Sequence, residues 1–200
     1  MNILFDIKLT FKQVFMCESC PLKRAFLKAT NAAAGMLVSN ASELTKTFTL
    51  NLFDGLPAII PYAFIVFAGF VCSDKSPCNN KAKGMRSSMQ QGQGQTSMTF
   101  ELLLAYQKLA PPVIITLENV KERMCVDLES AYLTDLTYVL AQLRSIGYGF
   151  LTHFVIKAEA FGSAAVRIRI YIVGVRCPIT LKDNASFLIQ VKRSMSDARK

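Results

Sequence analysis

Apolar residues in this chain fall into short blocks, and several of them stop abruptly at polar clusters. The densest runs from Tyr62 to Gly69 (YAFIVFAG) and gives way at Cys72 to Ser73, Asp74, Lys75 and Ser76. Its length and its aromatic and β-branched content predict a buried strand that empties into a polar loop. Val113–Leu117 (VIITL) is a second such block and ends at Glu118-Asn119; Gly149–Lys157 and Arg167–Val175 are two more. In the last of these Arg167, Arg169 and Tyr171 share one face and Ile168, Ile170 and Ile172 the other, the period of a strand. Lys12–Cys17 and Lys46–Leu52 predict two shorter strands.

Helical spacing alternates with these blocks. Pro21–Gly35 places Leu22, Ala25, Phe26 and Ala29 on one side, with proline in the first turn and glycine at the end. Thr99–Leu109 predicts a helix with Leu102, Leu103, Tyr106 and Leu109 inward, stopped by Pro111 and Pro112. Leu128–Ile146 is the longest helix, its stripe being Leu128, Ala131, Tyr132, Asp135, Leu136, Val139 and Leu143, with Gly147 as its cap. Between the central strand and the second helix, Pro77–Ser97 is rich in Gly, Ser, Gln and Asn, carries Lys81, Lys83 and Arg86, and reads as a long loop of the kind that is usually functional or disordered. Alternating strands and helices predict an α/β chain with a mostly parallel sheet. The last two strands, with no long crossover helix between them, should be an antiparallel edge hairpin. Residues 1–176 would form one domain and 177–200 a basic tail or the start of a further region.

Composition narrows the class. With 200 residues, 52% apolar and 18% charged, the chain can build a core. Its net charge of +9 favours a polyanionic partner, nucleic acid or an acidic membrane surface, although surplus Lys and Arg are often only a solvated face. The run Gly55–Cys72 reaches the lower limit of a membrane span, but Pro57 and Pro61 cut it to strand length, so no membrane association is expected. Six cysteines at irregular spacing, with no secretory leader pattern at Met1–Val14, indicate free thiols in a reducing intracellular compartment. Cys17-Glu18-Ser19-Cys20 is a lone CxxC without a second pair, which speaks against zinc. His153 reads as structural. Gly84, Gly92 and Gly94 do not make a phosphate loop.

Three polar groups remain, at the ends or on one face of apolar strands: Cys72 with Ser76, Glu118 with Asn119, and Arg167 with Arg169. A thiol, a carboxyl and two guanidiniums can serve one mechanism as nucleophile, acid and anion clamp. Taken singly, each has a plainer reading: a packed thiol, a carboxylate after a strand, a solvated strand face.

Taken together, in order and spacing, they resemble the cytosine C5 methyltransferases. Ala68–Ser76 (AGFVCSDKS) is similar to that family's AGFPCQxxS, with Val71 for its proline and Ser73 for its glutamine. Leu117-Glu118-Asn119-Val120 is its LENV intact. Gly162–Gly174 (GSAAVRIRIYIVG) is similar to GVPQxRxRxYIVG, with Ala164 and Ala165 for Pro-Gln. Gly147-Tyr148 and Met16-Cys17-Glu18 resemble two further strand-flanking signatures. The resemblance spans about Phe15 to Gly174. It implies a Rossmann-like methyltransferase fold and transfer of a methyl group from S-adenosyl-L-methionine to C5 of cytosine in DNA, with tRNA as the alternative substrate and a non-catalytic nucleic-acid-binding remnant as the alternative role. Cys72 would attack C6 as a thiolate. Glu118, kept protonated, would hydrogen-bond N3. Arg167 and Arg169 would hold the base oxygen and phosphate or orient the thiol, and Ser76 and Asn119 would meet the substrate. Glu18 would take the cofactor ribose and Asn51 would lie near the adenine. The target base would have to leave the duplex, and a eukaryotic protein of this kind would work in the nucleus. The glycine-rich turn that should precede Glu18 by about 20 residues has no room, and only 26 residues follow Gly174. A central segment, fragment or degenerate copy incomplete at both ends is therefore expected.

Overall fold

The computed structural model describes residues 10–30, 35–71, 89–92, 94–120, 135–164 and 167–176. Two compact units divide between Ala63 and Phe64.

In the first unit, β1 (Met16–Cys17) and β2 (Leu37–Val38) pair in parallel, and α1 (Pro21–Thr30) lies between them in sequence. Leu37 and Met16 form a small core, against which Leu27, Leu52 and Phe53 pack. The apolar side predicted for α1 is not its packed side. Leu22 and Phe26 are 82% and 66% exposed, and the helix contributes only the half-buried Leu27 to this core. A short 3-10 turn, Ala41–Thr45, is capped by the Asn40 side chain, which accepts from the Ser42 amide at 2.9 Å. The chain then makes an antiparallel pair, β3 (Thr49–Leu50) with β4 (Pro57–Ala58). β1 and β3 are shorter than the strands predicted over Lys12–Cys17 and Lys46–Leu52. Side-chain caps and turns, rather than ladder bonds, hold many of their backbone groups.

The second unit is a four-stranded sheet in the order β5-β6-β8-β7, formed by β5 (Ile65–Gly69), β6 (Ile114–Val120), β8 (Ile168–Arg176) and β7 (Tyr148–Lys157). β5 and β6 are parallel, and β8 is antiparallel to both β6 and β7. Three strands therefore run one way, with one reversed strand wedged among them. The expected antiparallel pair at one edge is present. α2 (Gly94–Leu109) and α3 (Asp135–Ser145) bury Phe100, Leu103, Leu104, Leu136, Val139 and Leu143 against Ile115, Leu117, Ile170 and Ile172.

Several boundaries differ from the sequence expectation for identifiable reasons. β5 is an outer strand covered on one face only: Val66 is buried, whereas Phe67 is 77% exposed. The apolar run 55–72 is divided between β4 and β5, and no helix among the described residues is long and apolar enough to cross a membrane. α2 begins at Gly94 rather than Thr99, which removes the end of the predicted loop. Thr96 and Ser97 there are buried. Ser97 Oγ donates to the Met89 carbonyl at 3.0 Å, and Asp135 Oδ1 accepts from the Met89 amide at 2.7 Å. The inward side of α2 accordingly includes Phe100 and Leu104, and Leu109 is 67% exposed. β6 runs on to Val120 because its pairing with β8 continues to Arg169, so Glu118 and Asn119 lie inside the strand rather than after it. α3 is described from Asp135; the predicted start at Leu128 lies outside the described residues, and Gly147, with φ +99°, ends the turn that follows.

Candidate active site

β6 carries the centre of the site. Successive residues of a strand point to opposite faces, so Glu118 and Asn119 straddle the sheet. Glu118 stands opposite Gly69 of β5 on one side and Tyr171 of β8 on the other. Arg169 is the diagonal neighbour of Glu118 on β8 and shares its face, within reach of a long side chain. The pair closes: Arg169 Nε lies 2.8 Å from Glu118 Oε1, with side chains 23% and 29% exposed. Arg169 also donates through Nη1 to the Ile168 carbonyl at 2.8 Å, which fixes the guanidinium from behind. Arg167, 59% exposed, approaches the same Oε1 at 3.9 Å. A half-solvated pair of this kind contributes about 1 kcal/mol or less to stability. Its chief effect is orientation.

The other carboxylate oxygen points to β5. A Cβ placed on Gly69 would lie 3.1 Å from Glu118 Oε2, closer than ordinary contact. Glu118 is therefore bounded by a guanidinium on one side and a strand without a side chain on the other.

Asn119, 4% exposed, occupies the packed face. Its Nδ2 donates to the Phe70 carbonyl at 3.4 Å, and its Oδ1 accepts from the Val120 amide at 2.8 Å. The Phe70 ring packs on Phe100 of α2, with centroids 5.6 Å apart. The backbone two residues before Cys72 is thus anchored by its ring and by its carbonyl. Cys72 and Ser76 themselves lie outside the described residues.

The residues expected at the cofactor are in the first unit. Glu18 follows β1 at the carboxyl end of the parallel pair. Its backbone amide donates to the Val38 carbonyl at 3.2 Å, and its Oε1 accepts from the Cys20 amide at 2.8 Å. Arg24 Nη1 donates to the Glu18, Ser19 and Ser39 carbonyls, tying the turn to the start of α1. Asn51 is 5% exposed and fully engaged in local structure. Its Oδ1 accepts from the Leu37 and Phe53 amides at 3.2 and 3.1 Å, and its Nδ2 donates to Asp54 Oδ2 at 3.0 Å. The Cys17 thiol beside Glu18 is pushed up to about 11 by desolvation and by the Glu18 and Glu43 carboxylates, so it is a poor thiolate. Cys17 and Cys20 are both free thiols. No group of His, Cys, Asp and Glu suited to a metal ion occurs among the described residues.

The structure thus brings Glu118, Arg167 and Arg169 together on one face and sets Asn119 behind them, while Glu18 and Asn51 belong to the other unit. One contributor escaped the sequence reading: Gly69 was visible only as part of a motif.

Comparison with known proteins bears on the family of the chain. The family of C-5 cytosine-specific DNA methylases matches residues 60–197. The DNA (cytosine-5-)-methyltransferase DMT5 of Cryptococcus neoformans var. grubii is 29% identical over 114 residues, 57% of this chain. The matched stretch is 4% of that relative's length. Among solved structures, a prophage-encoded protein of E. coli described as a DNA modification methyltransferase aligns over 82% of this chain and 40% of its own, at 13% identity and a TM-score of 0.49. With the family matched over more than half of its length, this chain belongs to the C-5 cytosine-specific DNA methylases.

Proposed function

We propose that the chain methylates cytosine at C5 in DNA, acting in the nucleus if its source is eukaryotic, through a covalent bond between Cys72 and C6. The observation that carries this reading is the Glu118 carboxyl, held by Arg169 at 2.8 Å on a strand in register with Gly69, three residues before Cys72.

Attack at C6 places negative charge on the ring, which a proton at N3 offsets. With Oε1 facing Arg169, Oε2 is the oxygen that would face N3 and share with it the proton that offsets this charge. Arg167, more exposed and more weakly paired, is free to reach the base oxygen or a flanking phosphate, for which a planar guanidinium is suited. Ser76 would contact the substrate as well. Asn119 acts indirectly, by holding the Phe70 carbonyl and so the start of the segment that bears Cys72. Removal of the C5 proton after transfer restores the ring double bond as the Cys72–C6 bond breaks.

S-adenosyl-L-methionine supplies the methyl group when bound. Glu18 fits its ribose: the carboxylate stands at the carboxyl end of a parallel strand, steadied through Oε1 by its own turn, the place where such folds receive ligands. Asn51 fits an adenine contact poorly, because its amide is occupied by Leu37 of β2 and by Phe53 and Asp54 of its own turn.

The test is covalent trapping. Protein, S-adenosyl-L-methionine and a duplex containing 5-fluorocytosine should give a denaturation-resistant adduct, because fluorine blocks the final elimination, and Cys72→Ser should abolish it. A folded protein that binds the duplex without ever forming the adduct would leave only a binding role.

A further inference from the structure

We infer that Gly69 is a positioning residue for Glu118: the space left by its missing side chain is where the second carboxylate oxygen rests. This deepens the proposed reaction and depends on it for its catalytic meaning, though not for its geometry.

Gly69 and Glu118 are register partners in a parallel pair, so their Cα atoms are fixed opposite each other by the ladder. Arg169 holds Oε1 from the β8 side at 2.8 Å. On the β5 side any Cβ at position 69 would come within 3.1 Å of Oε2. The backbone of Gly69 does not have a positive φ, so glycine is not required there for conformational freedom. What it supplies is clearance. The face concerned is the one that, among the described residues, α2 and α3 leave uncovered: Phe67, two residues earlier on that face, is 77% exposed. Packing of the core therefore does not call for glycine either.

The consequence is directional. Arg169 holds Oε1, and the bare strand leaves room for Oε2 beside Gly69, on the strand that leads to Cys72. A methyl group at position 69 would push Oε2 by a few tenths of an ångström, towards Arg169 or out into solvent. Larger side chains would displace it altogether. Misplacements on this scale, well short of 1 Å, correspond to rate losses of about tenfold.

A double-mutant cycle tests this with two independent readings. Gly69→Ala and Gly69→Val are made alone and with Glu118→Ala, and both the urea unfolding midpoint and the rate of adduct formation are measured. The expected result in the native background is a lowered midpoint and adduct formation slowed about tenfold for alanine, more for valine. In the Glu118→Ala background, where no carboxylate remains to be displaced, the alanine substitution should leave the midpoint unchanged. Equal midpoint shifts in the two backgrounds would overturn the inference, because the glycine would then serve something other than Glu118. Gly69→Ala that leaves the trapping rate untouched while lowering the midpoint would also overturn its positioning role. If the wild-type protein forms no adduct, the proposed reaction fails, while the unfolding arm still decides whether Glu118 rests against Gly69.

Discussion

The two faces of the four-stranded sheet are made from the same strands and differ by a single step along each. One step gives Val66, Ile115, Leu117, Ile170 and Ile172, all buried, most of them against α2 and α3. The other gives Phe67, Thr116, Glu118, Arg169 and Tyr171, half-buried or exposed. The covered face fixes where the strands lie, and the open face receives the polar groups with their spacing already set. Burying Glu118 and Arg169 together would impose a desolvation cost that their attraction need not repay. On the open face the same pair can orient without that cost.

This contrast can be broken from either side. Ile172→Ala, on the packed face at 1% exposure, should lower stability by about 2–5 kcal/mol, read by urea denaturation. Thr116→Ala, one strand over on the open face, should change it by about 0.5 kcal/mol or less. If both cost the same, the open face is covered by something that the described residues do not include. Glu118→Gln should invert the pattern: adduct formation slowed about 100-fold or more, with a stability change of about 1 kcal/mol or less.

Asp135 sharpens the comparison, because it is a charged group on the packed side. Asp135→Ala should cost about 1–3 kcal/mol by leaving the buried Met89 amide without its 2.7 Å acceptor, while Asp135→Asn, which keeps an acceptor, should cost clearly less. Protection of the Met89 amide in hydrogen exchange should follow the same order.

The smallest effect lies in the first unit. With its pKa pushed up to about 11, Cys17 should react with iodoacetamide at pH 8 about tenfold more slowly than an ordinary thiol, allowing for the higher nucleophilicity of its thiolate. The sign for stability follows from a raised value. The folded protein holds this proton more tightly than the unfolded chain, so the contribution is complete below pH 9 and declines as pH rises towards 11.

Much of this could be read along the chain, and the successes share a cause. The strands of the sheet and the helices that cover it announce themselves through nearest-neighbour periodicity, and Glu118, Arg167 and Arg169 were marked by where polar residues interrupt or alternate with apolar ones. The failures have no single cause. Residues 94–97 read as loop because they are polar, yet Ser97 is 1% exposed and bonded to Met89. Leu22 and Phe26 read as core because they repeat at helical spacing, yet both are exposed. For Ser97 the deciding partner, Met89, lies on another element; for Leu22 and Phe26 no described residue covers the predicted side.

By itself, then, the amino-acid order determined the element types, the alternation that separates the two faces, and the residue chemistry available to the candidate site. Only the tertiary structure decided which carboxylate oxygen meets Arg169, that Gly69 lies beside the other, and that Asn119 holds Phe70 from behind. Periodicity is a property of consecutive residues and survives in a string. A pairing between positions 69 and 118, or between 70 and 119, exists only once the strands are in register.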